Sequence, residues 1–93
     1  MITPSVASKI IVGMLQGAMY IHEVWEKLPN KDQLQLGAEW ERMISQNSEA
    51  APAEIIKQIA DHPQIGPAWK RLSDKARLSR SESIEVIIAN TTG

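Results

Sequence analysis

Apolar residues crowd the first third of the chain at helical spacing. Val6, Ile10, Gly13, Met14, Gly17, Ile21, Val24 and Leu28 recur three and four positions apart, the repeat of one helical face. Ala7, Ile11, Leu15, Ala18, His22 and Trp25 form the neighbouring stripe, and Val12 and Met19 widen it. The polar stripe left over is narrow: Lys9, Gln16, Glu23 and Lys27. The pattern predicts one helix over 5–28, opened by Pro4-Ser5 and apolar nearly all round. Such a helix must be covered on several sides. Pro29 ends it, because a residue before proline avoids the α region.

Three further helices follow from caps and breakers. Asn30 reads as the N-cap of a helix over 31–46, with Leu34, Ala38 or Gly37, Trp40, Met43 and Ile44 inward and Asn47-Ser48 closing it. Pro52 and Glu54 suit the first turn of a third helix over 53–72. Its apolar face is Ile55, Ile56, Ile59 and Ala60. His62-Pro63 kinks it, and Ala68, Trp69 and Leu72 face in after the kink. Ser73 caps a fourth helix over 74–89, with Ala76, Ile84, Ile87 and Ile88 inside. Glu85-Val86-Ile87-Ile88 is β-branched enough for a short strand, but no second strand is available to pair with it, so the reading stays helical. Thr91-Thr92-Gly93 is expected to fray.

The punctuation repeats. Trp25, Lys27, Leu28, Asn30, Lys31 and Leu34 are echoed by Trp69, Arg71, Leu72, Asp74, Lys75 and Leu78, from 25 to 69 an offset of 44 residues. Both copies place Trp and Leu on the last turn of a helix, then a cap, then Lys and Leu in the next helix. Duplication and the shared needs of two helix hairpins explain this equally well. The expected fold is all-α, a single domain over 1–93, built as a compact four-helix arrangement of two helical hairpins. Trp25, Leu28, Trp69 and Leu72 should be buried near the two turns.

Composition narrows the setting. A chain of 93 residues buries only about 60–65% of the surface its unfolded form exposes. It has no cysteine, hence no disulfide and no thiolate for zinc. Met1–Ser5 carries no basic residue and Ile10–Leu15 is short for a signal core. Lys9, Gln16, His22 and Glu23 interrupt the best candidate for a membrane span, which needs roughly 20 apolar residues. The reading is cytoplasmic, without a membrane partner. Net charge is −1, which argues against a general nucleic-acid coat. Its distribution is uneven. Lys70, Arg71, Lys75, Arg77 and Arg80 face a single acid, Asp74, whereas 23–49 is acidic.

Catalytic chemistry is not signalled. His22-Glu23-Val24-Trp25-Glu26 resembles half of a zinc-protease helix, with Glu26 where the second His belongs. There is no Gly-x-Ser-x-Gly, no histidine with a sequence-evident acid partner of the triad kind and no glycine-rich phosphate loop. No catalytic residue, metal ligand or cofactor is therefore assigned. Gly13-x-x-x-Gly17 allows close approach of another helix, within the chain or between copies. With Ile10, Met14 and Ile21 it marks the expected interface of a homo-oligomer, most simply a dimer. Trp69, Lys70, Arg71, Lys75, Arg77 and Arg80 mark the expected contact with a partner protein of acidic surface, since Arg makes planar contacts with carboxylates and phosphates. The leading expectation is a non-enzymatic inhibitor or adaptor presenting a helical surface. The alternatives are an oligomeric binder of an anionic small molecule or nucleotide, and a nucleic-acid-binding regulator using 70–80.

Overall fold

Thr3 sets the start of the first helix. Its hydroxyl oxygen accepts the Val6 N–H at 3.2 Å, and Pro4 occupies the first turn, where no N–H is needed. The computed structural model describes residues 2–46 and 49–91. Helix α1 spans Pro4–Gln16 and buries Ala7, Ile11 and Leu15 on one face. The apolar pattern continues, but the helix does not. It stops at Gly17, and α2 spans Ile21–Lys27. Between them Tyr20 holds φ 67 and ψ −44. The Ile21 N–H donates to the Met19 carbonyl at 2.7 Å, closing a three-residue γ-turn of the strained, positive-φ kind.

The single helix expected over 5–28 is therefore two. A straight one would be about 36 Å long at 1.5 Å per residue, and the longest dimension of the molecule is 32 Å. Folding back at 17–20 brings Ile21, Trp25 and Leu28 into the common core instead of leaving them beyond it.

Helix α3 (Asn30–Ser45) follows after two residues. Pro29, not Asn30, is the N-cap, and no side chain caps the helix. The Pro29 carbonyl accepts the Asp32 and Gln33 N–H groups, and Asp32 meets the positive end of the dipole. Trp40, Met43 and Ile44 are buried as expected. Leu34 is not: it is 73% exposed, and Ala38 is exposed beside it. Gln33 turns toward the α2–α3 corner, its amide donating to the Trp25 and Leu28 carbonyls at 2.8 and 3.0 Å. Helix α1 crosses α3 at Gly37, whose carbonyl accepts the Ser8 hydroxyl at 2.6 Å. The Asn47-Ser48 stop lies outside the described residues.

The second half is α4 (Ala51–Asp61), α5 (Ile65–Arg71) and α6 (Asp74–Ala89). The kink expected near 63 is a full break. Pro63 bars the α region at His62, and His62 Nδ1 accepts the N–H groups of Gln64 and Ile65, both at 3.1 Å. Ser73 caps α6 through the Ala76 N–H at 3.1 Å. Residues 84–88 are helical, with Ile84 fully buried. Thr91 is tied down, its hydroxyl donating to the Ile87 carbonyl at 2.8 Å, and it forms an isolated bridge with Ile2. The rest of the tail expected to fray lies outside the described residues.

The fold is all-α, and among the described residues the four expected helices are six, in two units of three. The offset of 44 residues carries α2 onto α5 and α3 onto α6 with the same boundaries. Buried positions coincide as well. Ala7, Ile11, Leu15, Ile21, Trp25, Leu28 and Trp40 map onto Ala51, Ile55, Ile59, Ile65, Trp69, Leu72 and Ile84, all buried. The packing is reciprocal: α1 lies on α6, α4 on α3, and α2 on α5. Exchanging the units maps each contact onto another, which is the signature of an approximate two-fold axis rather than of a solenoid. One core cluster spans both units.

Two glycines test this geometry. A Cβ on Gly66 would collide with the Ala60 carbonyl, and one on Gly13 would meet nothing within 4 Å. Gly66→Ala should lose about 1–3 kcal/mol of stability. Gly13→Ala should gain about 0.5–1 kcal/mol. Urea denaturation of the two variants measures both.

Candidate functional site

The cations of 70–80 gather where α5 turns into α6, but they are not equivalent. Arg77 is half-buried and internally employed. Its guanidinium donates to the Lys70 and Leu72 carbonyls at 2.9 and 2.5 Å and pairs with Asp74. It closes the C-terminal end of α5, where cations also complement the helix dipole. The Arg71 guanidinium lies over the Tyr20 ring, 4.1 Å from its centroid, a cation–π contact that joins α5 to the α1–α2 turn. Arg71 itself stays exposed, as do Lys70 and Lys75, and Arg80 is half-buried. Trp69 is 4% exposed. It belongs to the core and presents no surface to a partner.

The first unit supplies an internal reference. At the matching corner stand Glu26, Lys27, Lys31 and Gln33. Gln33 does the work of Arg77, donating to the carbonyls that end α2. A neutral amide thus suffices for that role. Glu26 stands where the second unit has Lys70.

The residues expected at an oligomer interface are also divided. Gly13 and Gly17 are exposed on α1, and Ile10 is 42% exposed. Met14 is half-buried. Ile21 is wholly inside the core, because the chain folds back at Tyr20. The open side of α1 consists of Val6, Ile10, Gly13 and Gly17, with Lys9 and Gln16 beside them.

A groove of about 450 Å³ runs between α1 and α3, bordered by Lys9, Val12, Gly13, Leu34, Ala38 and Glu41. Sequence reasoning missed it by placing Leu34 inside. The repeat held the signal: Leu34 and Leu78 occupy matching positions and are 73% and 60% exposed. The matching inward position belongs to Gln33 and Arg77.

The chain matches no known family model, curated protein or solved structure.

His22 sits on the exposed side of α2. Its Nδ1 is 3.0 Å from the Gln16 carbonyl and its Nε2 is 3.6 Å from Glu26. Among the described residues no group of three or more His, Asp or Glu gathers as a metal site would require, and no helix is long and apolar enough to cross a membrane. A polar link crosses from α4 to α3: Gln58 accepts the Trp40 indole N–H at 2.9 Å and donates to Glu39 at 3.2 Å. The Trp25 indole N–H is buried and finds no acceptor among the described residues, a cost carried for the bulk of its ring. That ring lies 6.5 Å from the ring of Trp40.

Replacing Arg77 separates capping from charge. Arg77→Ala should lower stability by about 1–2 kcal/mol through the lost carbonyl bonds. Arg77→Gln should recover most of it, as Gln33 does in the first unit. Thermal unfolding of the two variants reads the difference.

Proposed function

We propose that the chain is a small binding protein rather than an enzyme, and that it presents the α5–α6 corner to a macromolecular partner with an acidic surface. The contact set is Lys70, Arg71 and Lys75, with Arg80 at its edge. Arg77 holds the corner together from inside. The observation that supports this reading is the comparison between the two units. The same helix–turn–helix is built in the first unit with Glu26, Lys27 and Lys31, a net charge of one, and in the second with Lys70, Arg71 and Lys75, a net charge of three. The fold tolerates an acid at this place, so its architecture does not require the added positive charge. Clustered like charges repel and work mildly against compaction. Their value lies in steering and holding an oppositely charged surface. Self-association belongs to the same proposal, with Ile10, Gly13 and Gly17 on the open side of α1.

The double replacement Lys70→Glu and Lys75→Glu tests the reading and leaves Arg71 on the Tyr20 ring. Exposed substitutions of this kind change stability by about 0.5 kcal/mol or less each. Capture of the partner from nuclease-treated extract of the source cell should be lost while the melting temperature barely moves. Lowered stability with intact capture would assign these charges to the fold. A partner released by nuclease would assign the corner to nucleic acid, whose binding weakens steeply with salt.

A further inference from the structure

The two units differ at one place that the repeat would make alike. Each breaks its leading helix before the short one, at 17–20 in the first unit and at 62–64 in the second. The second break is written in the sequence. Pro63 forbids a continuous helix, and His62 caps the new one. The first break is written more weakly: α1 ends on Gly17, which disfavours a helix without forbidding it. Residues 5–28 contain no proline, and their apolar spacing runs through the turn without a change of phase. The chain turns there on Tyr20 at φ 67, a conformation unfavourable for a bulky residue, inside a γ-turn. What holds the turn shut is tertiary: the Arg71 guanidinium on the Tyr20 ring and the burial of Ile21 and Trp25 against the second unit.

We propose that the α1–α2 junction is a hinge through which two copies of this chain exchange α1, forming a domain-swapped dimer in which 4–27 is one continuous helix. Opening the hinge releases the strain at Tyr20 and completes the helical hydrogen bonding across 17–20. It also lifts Ala7, Ile11 and Leu15 out of their own core. Only an identical core can receive them, which fixes the partner as a second copy. The α1 of each chain then lies on the α3 and α6 of the other, and the contacts of the closed form outside the hinge are rebuilt. Short strained hinges favour such exchange. The hinge at 62–64 cannot follow, because Pro63 keeps it bent. This inference shares Arg71 with the cationic corner but does not depend on what that corner binds.

A matched pair of variants isolates the hinge. Tyr20→Gly and Tyr20→Ala both delete the ring and its contact with Arg71. Glycine adopts positive φ freely and weakens a helix, whereas alanine dislikes positive φ and favours a helix. Two hinges open per dimer, so the dimer dissociation constants should differ by roughly 100-fold, with the alanine variant the tighter. The variants are refolded at high concentration and measured by light scattering, with helical circular dichroism confirming that each is folded. Equal dissociation constants, or a dimer favoured by glycine, would overturn the hinge.

A disulfide then separates exchange from simple apposition. The chain has no cysteine of its own, and a Cβ on Gly37 would lie 3.8 Å from Ser8 Oγ. Ser8→Cys combined with Gly37→Cys, added to the Tyr20→Ala chain, should give a covalent dimer on a non-reducing gel when the isolated dimer is oxidised. A covalent monomer from that dimer would mean that α1 stays at home, and the proposal would fail.

Discussion

The packing of α2 against α5 is the constraint on which the rest of the molecule depends. Each is a helix of two turns, too short to persist alone in water. Each carries a tryptophan and is followed at once by a leucine that must be kept from solvent. Within each unit the short helix packs on the leading one, and it packs as well on the short helix of the other unit. Placed back to back about an approximate two-fold axis, the two cover one another. The longer helices then close over the outside, α1 on α6 and α4 on α3. A chain without disulfides gains in this way a single core that neither half could assemble.

The same constraint explains the break in the first helix. Trp25 and Leu28 reach the axis only if α2 turns back from α1. Where the second unit meets this demand with Pro63, the first meets it by forcing Tyr20 into a rare conformation and holding it there from α5. The asymmetry suggests a division of labour. One unit is locked by its sequence, and the other is held closed by contacts that can be broken. The charge on the two corners divides along the same line, with the locked unit carrying the cations.

Much of this was legible in the sequence, and the failures are instructive. The Trp–Leu–cap punctuation gave the burial of Trp25, Leu28, Trp69 and Leu72, because those positions are set by local turn chemistry. The Ser73 cap and the His62-Pro63 stop were local too. The split at 17–20 was not, since Gly17 only weakens a helix and no proline lies between Pro4 and Pro29; the demand for a turn comes from the packing of α2 on α5. The inward register of α3 was misjudged for a related reason. Apolar Leu34 is left outside while polar Gln33 turns in, because the free carbonyls ending α2 require a donor. The candidate corner was visible as charge alone. That Arg77 is spent on the fold and that Trp69 is unreachable follow only from three-dimensional neighbours.

The central claim is that two matching units share one core. Equilibrium denaturation followed at once by tryptophan fluorescence and by helical circular dichroism tests it most directly. Trp25 and Trp40 report on the first unit and Trp69 on the second, while the dichroism reports on all helices. The account predicts one coincident transition, shifted as a whole to lower denaturant by truncating Ile21 or its counterpart Ile65 to Ala. Two resolved transitions, or a truncation in one unit that leaves the other unit's signal where it was, would contradict it.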